Sequence, residues 1–175
     1  MWATQPYWKL QKVYSNTGGS VFQDLYMLAH LALFEQFEES IVLCCNLAVQ
    51  VFVIGFFKTL HAEPRPFWVD KDIIPGGCTN QFGNPSGHSL TALFFSLYLW
   101  NKHFKKQSSI IKVTSFIFLL AAGLEMGHSR FVLGLHSANQ ILYGDLLGLW
   151  CLIFCIFFME PKLRQIMDDL KAGNG

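Results

Sequence analysis

Apolar runs of membrane-crossing size recur four times along this chain of 175 residues, separated by short polar stretches. The first is Ile41 to Phe57, closed by Lys58 and by the prolines at 64 and 66. A hydrocarbon layer about 30 Å thick asks for roughly 20 helical residues, which predicts a helix over about 39–60. The second runs from Ser86 to Trp100 and opens on Pro85-Ser86, the signature of a helix start. The third covers about 109–127 and the fourth about 138–159. No alternating strand pattern is present, and only helices or closed barrels cross lipid, so each run is read as a helix.

The N-terminal part is less regular. Residues 21–37 are helical in pattern but broken by Asp24, His30 and Glu35, with Asp24, Glu35 and Glu38 near one face at 100° per residue. This predicts an interfacial helix rather than a full span. The first twenty residues, with Gly18-Gly19-Ser20, read as a loosely ordered lead-in. The predicted architecture is an all-α integral-membrane bundle of about four transmembrane helices. Residues 1–38 form the lead-in and an interfacial or short membrane helix, 39–160 the core, and 161–175 a cytoplasmic-side tail.

Composition agrees with a bilayer as the solvent. Hydrophobic residues make up 52% and charged residues 14%, and mean hydropathy is +0.33. The formal net charge of +1 gives no argument for nucleic acid as a partner. The N-terminus lacks a basic flank leading into a short apolar core, so no removable signal peptide is evident. Of five cysteines, Cys44, Cys45, Cys151 and Cys155 fall inside apolar runs and read as structural thiols, and Cys78 sits alone in a loop.

Three polar stretches remain, and they carry the chemistry. Lys58 is followed by Arg65-Pro66; Pro85-Ser86-Gly87-His88 opens the second helix; Ser129-Arg130 precedes His136. Counting helices brings all three to one membrane face. The loop around Lys102, Lys105 and Lys106 and the tail with Lys162, Arg164 and Lys171 lie on the other, which the positive-inside bias makes cytoplasmic. The site face is then lumenal, as in the endoplasmic reticulum or another endomembrane. A phosphoryl group in transfer concentrates negative charge on its equatorial oxygens, so catalysis is mostly placement of fixed positive groups. Arg65 and Arg130 offer planar forks, Lys58 a compact charge, and Ser86 with the Gly87 amide a helix N-terminus. Two histidines, His88 and His136, remain for bond-making and proton transfer. Alone, each residue is better explained as an anchor or a cap; their convergence is not.

These motifs resemble the type 2 phosphatidic acid phosphatase superfamily over about residues 40–160. The resemblance implies that His136 is the nucleophile that forms a phosphohistidine, that His88 is the general acid, and that Lys58, Arg65, Ser86, Gly87 and Arg130 cradle the phosphate. It implies no metal and no cofactor. Most members carry an aspartate four residues after the nucleophile; this chain has Gln140, which can still accept from the ring N–H but brings no charge. On that basis Gln140→Asp is expected to keep or raise activity. Arg65-Pro66-Phe67-Trp68 resembles glucose-6-phosphatases, whereas Glu63-Pro64-Arg65-Pro66 and the segment from His136 to Gly144 resemble dolichyl diphosphatases. The short chain favours a lipid substrate over a sugar phosphate.

Other polar residues invite weaker readings. Asp145 lies about 140° around the helix from Gln140 and is read as packing against another helix. Glu125 and His128 are either partners of Arg130 or a helix-end cap. The leading function is a metal-independent phosphohydrolase of the bilayer, acting on a polyprenyl, dolichyl or phosphatidate-like phosphate. The competing class is a non-catalytic subunit held by other membrane proteins, in which case the mitochondrial inner membrane is a second location.

Overall fold

The computed structural model describes residues 6–17, 20–32 and 37–173, and all regular structure among them is helical. Eight helices follow in chain order: α1 (Pro6–Thr17), α2 (Ser20–Ala32), α3 (Phe37–His61), α4 (Pro66–Val69), α5 (Gly87–Leu99), α6 (Ser109–Val132), α7 (Ala138–Phe154) and α8 (Glu160–Lys171). Wider π turns at Trp100–Phe104 and Cys155–Met159 continue α5 and join α7 to α8.

Three stretches are long and apolar enough to cross a membrane: Phe37–Val69, Ser109–Val132 and Ala138–Lys171. Their outer faces show Val51, Phe52 and Phe56 on α3, Ile117 and Phe118 on α6, and Leu142, Leu146, Trp150 and Ile153 on α7, all exposed. Such faces are stable only against lipid. The fourth expected span, α5, is as apolar as the others but only 13 residues long, and it is not among these stretches. It is the central helix, packed between α6 and α7, so its polar residues meet protein rather than lipid. Ser89, Thr91, Phe94 and Tyr98 are all buried.

Small residues set how closely α5 is held. A Cβ on Gly144 would fall 2.4 Å from the Ser86 carbonyl oxygen, and one on Gly148 would fall 2.6 Å from that of Leu90. This pair, four apart on α7, lets two backbones touch in the way small residues do inside membranes. It fixes the start of α5 against the start of α7, and both starts carry site residues.

The N-terminal elements differ from expectation. Residues 6–17 form a helix, not a loose lead-in, and α2 does not have the surface of an interfacial helix. On α1, Gln11 and Ser15 are buried while Leu10 and Val13 are exposed; on α2, Gln23 and His30 are buried while Val21, Leu25 and Leu28 are exposed. On α2 these polar residues face the bundle and the apolar ones face outward, the reverse of a helix lying on a membrane surface, whereas α1 also exposes Lys9 and Lys12. At 1.5 Å per residue, α2 is roughly 20 Å long, too short to cross alone. The paired glycines Gly18 and Gly19, and Glu35, lie outside the described residues. The expected tail is likewise helical: α8 returns Arg164 to Glu38, Glu39 and Glu160, and Lys171 to Glu38.

Candidate active site

The three motifs meet around one cavity of about 480 Å³. Its wall includes Lys58 from the end of α3, Arg65 from the turn before α4, Gly87 and His88 from the start of α5, Arg130 from the last turn of α6, and His136 from the turn before α7. Gly76, Gly77, Cys78, Thr79 and Gln81 of the long α4–α5 connection complete it. That connection is docked by backbone bonds from Gly76 N–H to Leu133 O (2.8 Å) and from Gly83 N–H to Glu63 O (2.8 Å).

His136 is almost wholly buried, at 2% exposure, on a turn reversed by Gly134 at φ +64°. Its two ring nitrogens have different neighbours. Nε2 lies 3.0 Å from Arg65 Nη1, which can only donate, so Nε2 carries a lone pair. Nδ1 lies 3.3 Å from Gln140 Oε1, to which it donates its proton. Burial, then the positive charges of Arg65, Arg130 and Lys58, push this imidazole down to about 2, against a backbone hydrogen bond to Gly83 that raises it. The ring is therefore neutral at any working pH, with its free lone pair on the nitrogen beside the guanidinium.

The cations are individually held. Arg65 is buried and spends Nε on the Gln81 carbonyl (2.7 Å) and Nη1 on that of Leu135 (2.9 Å) as well as on His136. Lys58 Nζ donates to Gln81 Oε1 at 3.0 Å. Arg130 donates from Nη1 to Ser15 Oγ of α1 at 2.7 Å, while its buried Nε has no protein partner. With no carboxylate among the described residues paired to any of the three, they form a positive cluster suited to an anion. His88 differs from His136 in being exposed to the chamber.

Two of the expected residues stand behind the wall rather than in it. Ser86 is fully buried, caps α5 through a 3.5 Å bond from Ser89 N–H, accepts from the Ser89 hydroxyl at 2.9 Å, and gives its own N–H to Gln140 O at 2.9 Å. The first turn of α5 thus presents the Gly87 and His88 backbone to the cavity, with the Ser86 hydroxyl used for capping. Gln140 is buried behind His136 and shares a capping box with Ser137.

Glu125 and His128 are not partners of Arg130. Glu125 accepts from Gln11 at 2.7 Å and lies 3.3 Å from His128 Nδ1, with Tyr7 beside that histidine, so both hold α1 onto α6. Asp145 faces α6 at Gly127, as packing requires. Sequence reasoning did not find Ser15 or Asn16 of α1, which reach the site from more than a hundred residues away.

A second cavity of about 750 Å³ adjoins the first, with His136 in both walls. Its lining is mainly apolar and includes Tyr7 and Trp8 of α1, Pro66, Ile73, Ile74 and Phe131.

The chain is 25% identical over 122 residues to the palmitoyl-protein thioesterase-dolichyl pyrophosphate phosphatase fusion 1 of Schizosaccharomyces pombe, a match covering 67% of this chain and 18% of that protein. No solved structure matches it significantly. The PAP2 superfamily pattern matches residues 39–164, which contain every wall residue of the charged cavity except Asn16, and the chain belongs to that superfamily.

Proposed function

We propose that this protein is a phosphohydrolase of the bilayer that removes phosphate from a lipid-linked phosphate or diphosphate through a phosphohistidine on His136, at a site open to the lumenal side. One observation carries the lipid reading: His136 is the shared wall of a cationic chamber and an apolar one. A phosphate in the first and a lipid chain in the second would put the ester linkage beside the nucleophile, the positioning on which rate depends.

The residues then divide the work. Lys58, Arg65, Arg130 and the first turn of α5 bind the phosphoryl oxygens, which displace the weak imidazole acceptor and draw the Arg65 guanidinium off Nε2. The released lone pair attacks phosphorus; the N–P bond forms as the P–O bond breaks, and His88 gives a proton to the leaving oxygen. His88 next takes a proton from water, which attacks phosphorus and breaks the P–N bond. Positive charge comes from side chains throughout, and the reaction calls on no metal. The dolichyl pyrophosphate phosphatase named in the yeast relative fits a polyprenyl substrate, and the intact wall argues against a purely structural subunit.

The test is phosphate release by purified, lipid-reconstituted protein from dolichyl diphosphate, phosphatidate and glucose 6-phosphate, with and without EDTA. Turnover of the lipids in EDTA supports the reading. Turnover of the sugar phosphate alone, or none with stoichiometric co-purification of other membrane subunits, defeats it.

A further inference from the structure

Behind His136 lies a carboxylate that the site chemistry has not yet used. Gln140 Nε2 donates to Glu63 Oε1 at 3.1 Å and to the Pro64 carbonyl at 2.9 Å, while Gln140 Oε1 faces His136 Nδ1 at 3.3 Å and Ser137 N–H at 3.3 Å. Every polar contact of this amide agrees with one orientation. Turned over, it would set its carbonyl against a carboxylate and another carbonyl, and its NH₂ against the Ser137 N–H. Gly83 closes the back of the amide, since a Cβ there would fall 2.5 Å from it, and Gly83 N–H ties down the Glu63 carbonyl.

We propose that Glu63 is a positioning residue for the His136 nucleophile, acting through the Gln140 amide. The proposal rests on the phosphohydrolase reading and adds to it the origin of the negative charge that Gln140 itself lacks. When Nε2 bonds to phosphorus the ring becomes cationic, in a pocket already facing Lys58, Arg65 and Arg130. The Gly83 carbonyl also faces the ring but carries no formal charge. Among the described residues, Glu63 is the carboxylate linked to the imidazole by hydrogen bonds, through the chain Nδ1–H to Gln140 Oε1 and Gln140 Nε2–H to Glu63 Oε1. That chain polarises toward the carboxylate as the ring charges, with no proton changing owner. It also holds Nδ1 protonated, which leaves the lone pair on Nε2.

The experiment compares wild type, Glu63→Gln, Gln140→Asp and the double variant in kcat, KM, and affinity for vanadate and inorganic phosphate. Vanadate mimics the five-coordinate state bonded to the nucleophile; inorganic phosphate mimics the ground state. Glu63→Gln should lower kcat and weaken vanadate binding by roughly 10- to 100-fold, the usual effect of losing such an outer carboxylate, with KM and phosphate affinity little changed. Gln140→Asp alone should also lose rate, because it sets a second carboxylate against Glu63. The double variant should recover most of the loss, with the charge now directly on Nδ1–H. Wild-type kcat and vanadate affinity in Glu63→Gln overturn the proposal while leaving the hydrolase reading intact, as does a loss the double variant fails to recover. A wild type that turns over no phosphate but binds vanadate in a Glu63-dependent way sinks the hydrolase reading and keeps this one.

Discussion

Arg130 on α6 donates to the Ser15 hydroxyl on α1 across 2.7 Å, so a site residue inside the family-matched region is held by a helix outside it. Among the described residues the buried Arg130 Nε has no hydrogen-bond partner and Ser15 is the side chain that tethers the guanidinium. Hydrogen bonds to charged groups contribute about 1.5–3 kcal/mol, enough to matter for placement of a guanidinium. Ser15→Ala should raise KM for the phosphate substrate roughly 10-fold and lower kcat less. Steady-state kinetics checks this; an unchanged KM would show that α1 does not position Arg130.

The two histidines should fail differently. On the proposed mechanism His136→Ala removes the attacking nitrogen, so it should abolish turnover and any acid-labile phosphoenzyme. His88→Ala removes only the proton donor. A substrate with an acidic leaving group, such as a nitrophenyl phosphate, should then regain a large part of the rate, because departure no longer needs a proton. Rapid-quench trapping of the phosphoenzyme separates the variants, and equal loss on both substrate types would count against the assigned roles.

The low value of His136 has a definite sign. A histidine pushed down to about 2 binds fewer protons folded than unfolded between that value and its ordinary range near 6.5, so stability rises with pH across this window and levels off above it. Its contribution is fully present above about 6.5 and is lost as pH falls. His136→Asn should remove part of this dependence. The difference in melting temperature between wild type and variant should shrink as pH is lowered from 7 to 5 in detergent-solubilised protein. A difference that is constant with pH would contradict a buried neutral imidazole.

How much of this was legible in the chain depends on the range of the contact. Lys58, Arg65, His88, Arg130 and His136 were readable because each sits just beyond or at the start of an apolar run, where helix counting brings the ends together. Gln140 was readable because the family pattern places an orienting residue four positions after the histidine matching His136. Glu63 and Ser15 were not, since they meet Gln140 and Arg130 over 77 and 115 residues, a distance that periodicity does not bridge. The α1 helix was missed for a related reason. Its buried residues include the polar Gln11 and Ser15 while Leu10, Val13 and the lysines Lys9 and Lys12 are exposed, and in an isolated segment this reads as irregular polarity. The Ser86 hydroxyl was assigned to phosphate because capping and anion binding favour the same residue at the same place, and only the Ser89 contacts separate the two uses.

Sidedness follows from where the charge is left unpaired. At the end of the bundle remote from the site, Glu39 accepts from Tyr98 and meets Lys102 and Arg164, and Glu160 meets Lys102 and Arg164. These pairs neutralise part of the basic excess but leave Lys105 and Lys106 exposed in the short α5–α6 loop, the kind of cationic loop retained in the cytoplasm. The site end turns Lys58, Arg65 and Arg130 toward the cavity and leaves Lys71 as the exposed basic residue of the connection between α4 and α5. Single cysteines at Gln107 and at Asn80, both exposed, should therefore label from opposite sides of sealed vesicles. The background must first lose Cys78, which is exposed and would itself report from the site side. Labelling of Gln107→Cys and Asn80→Cys by the same impermeant reagent from one side would mean that α5 makes no crossing between them and would remove the argument for a lumenal His136.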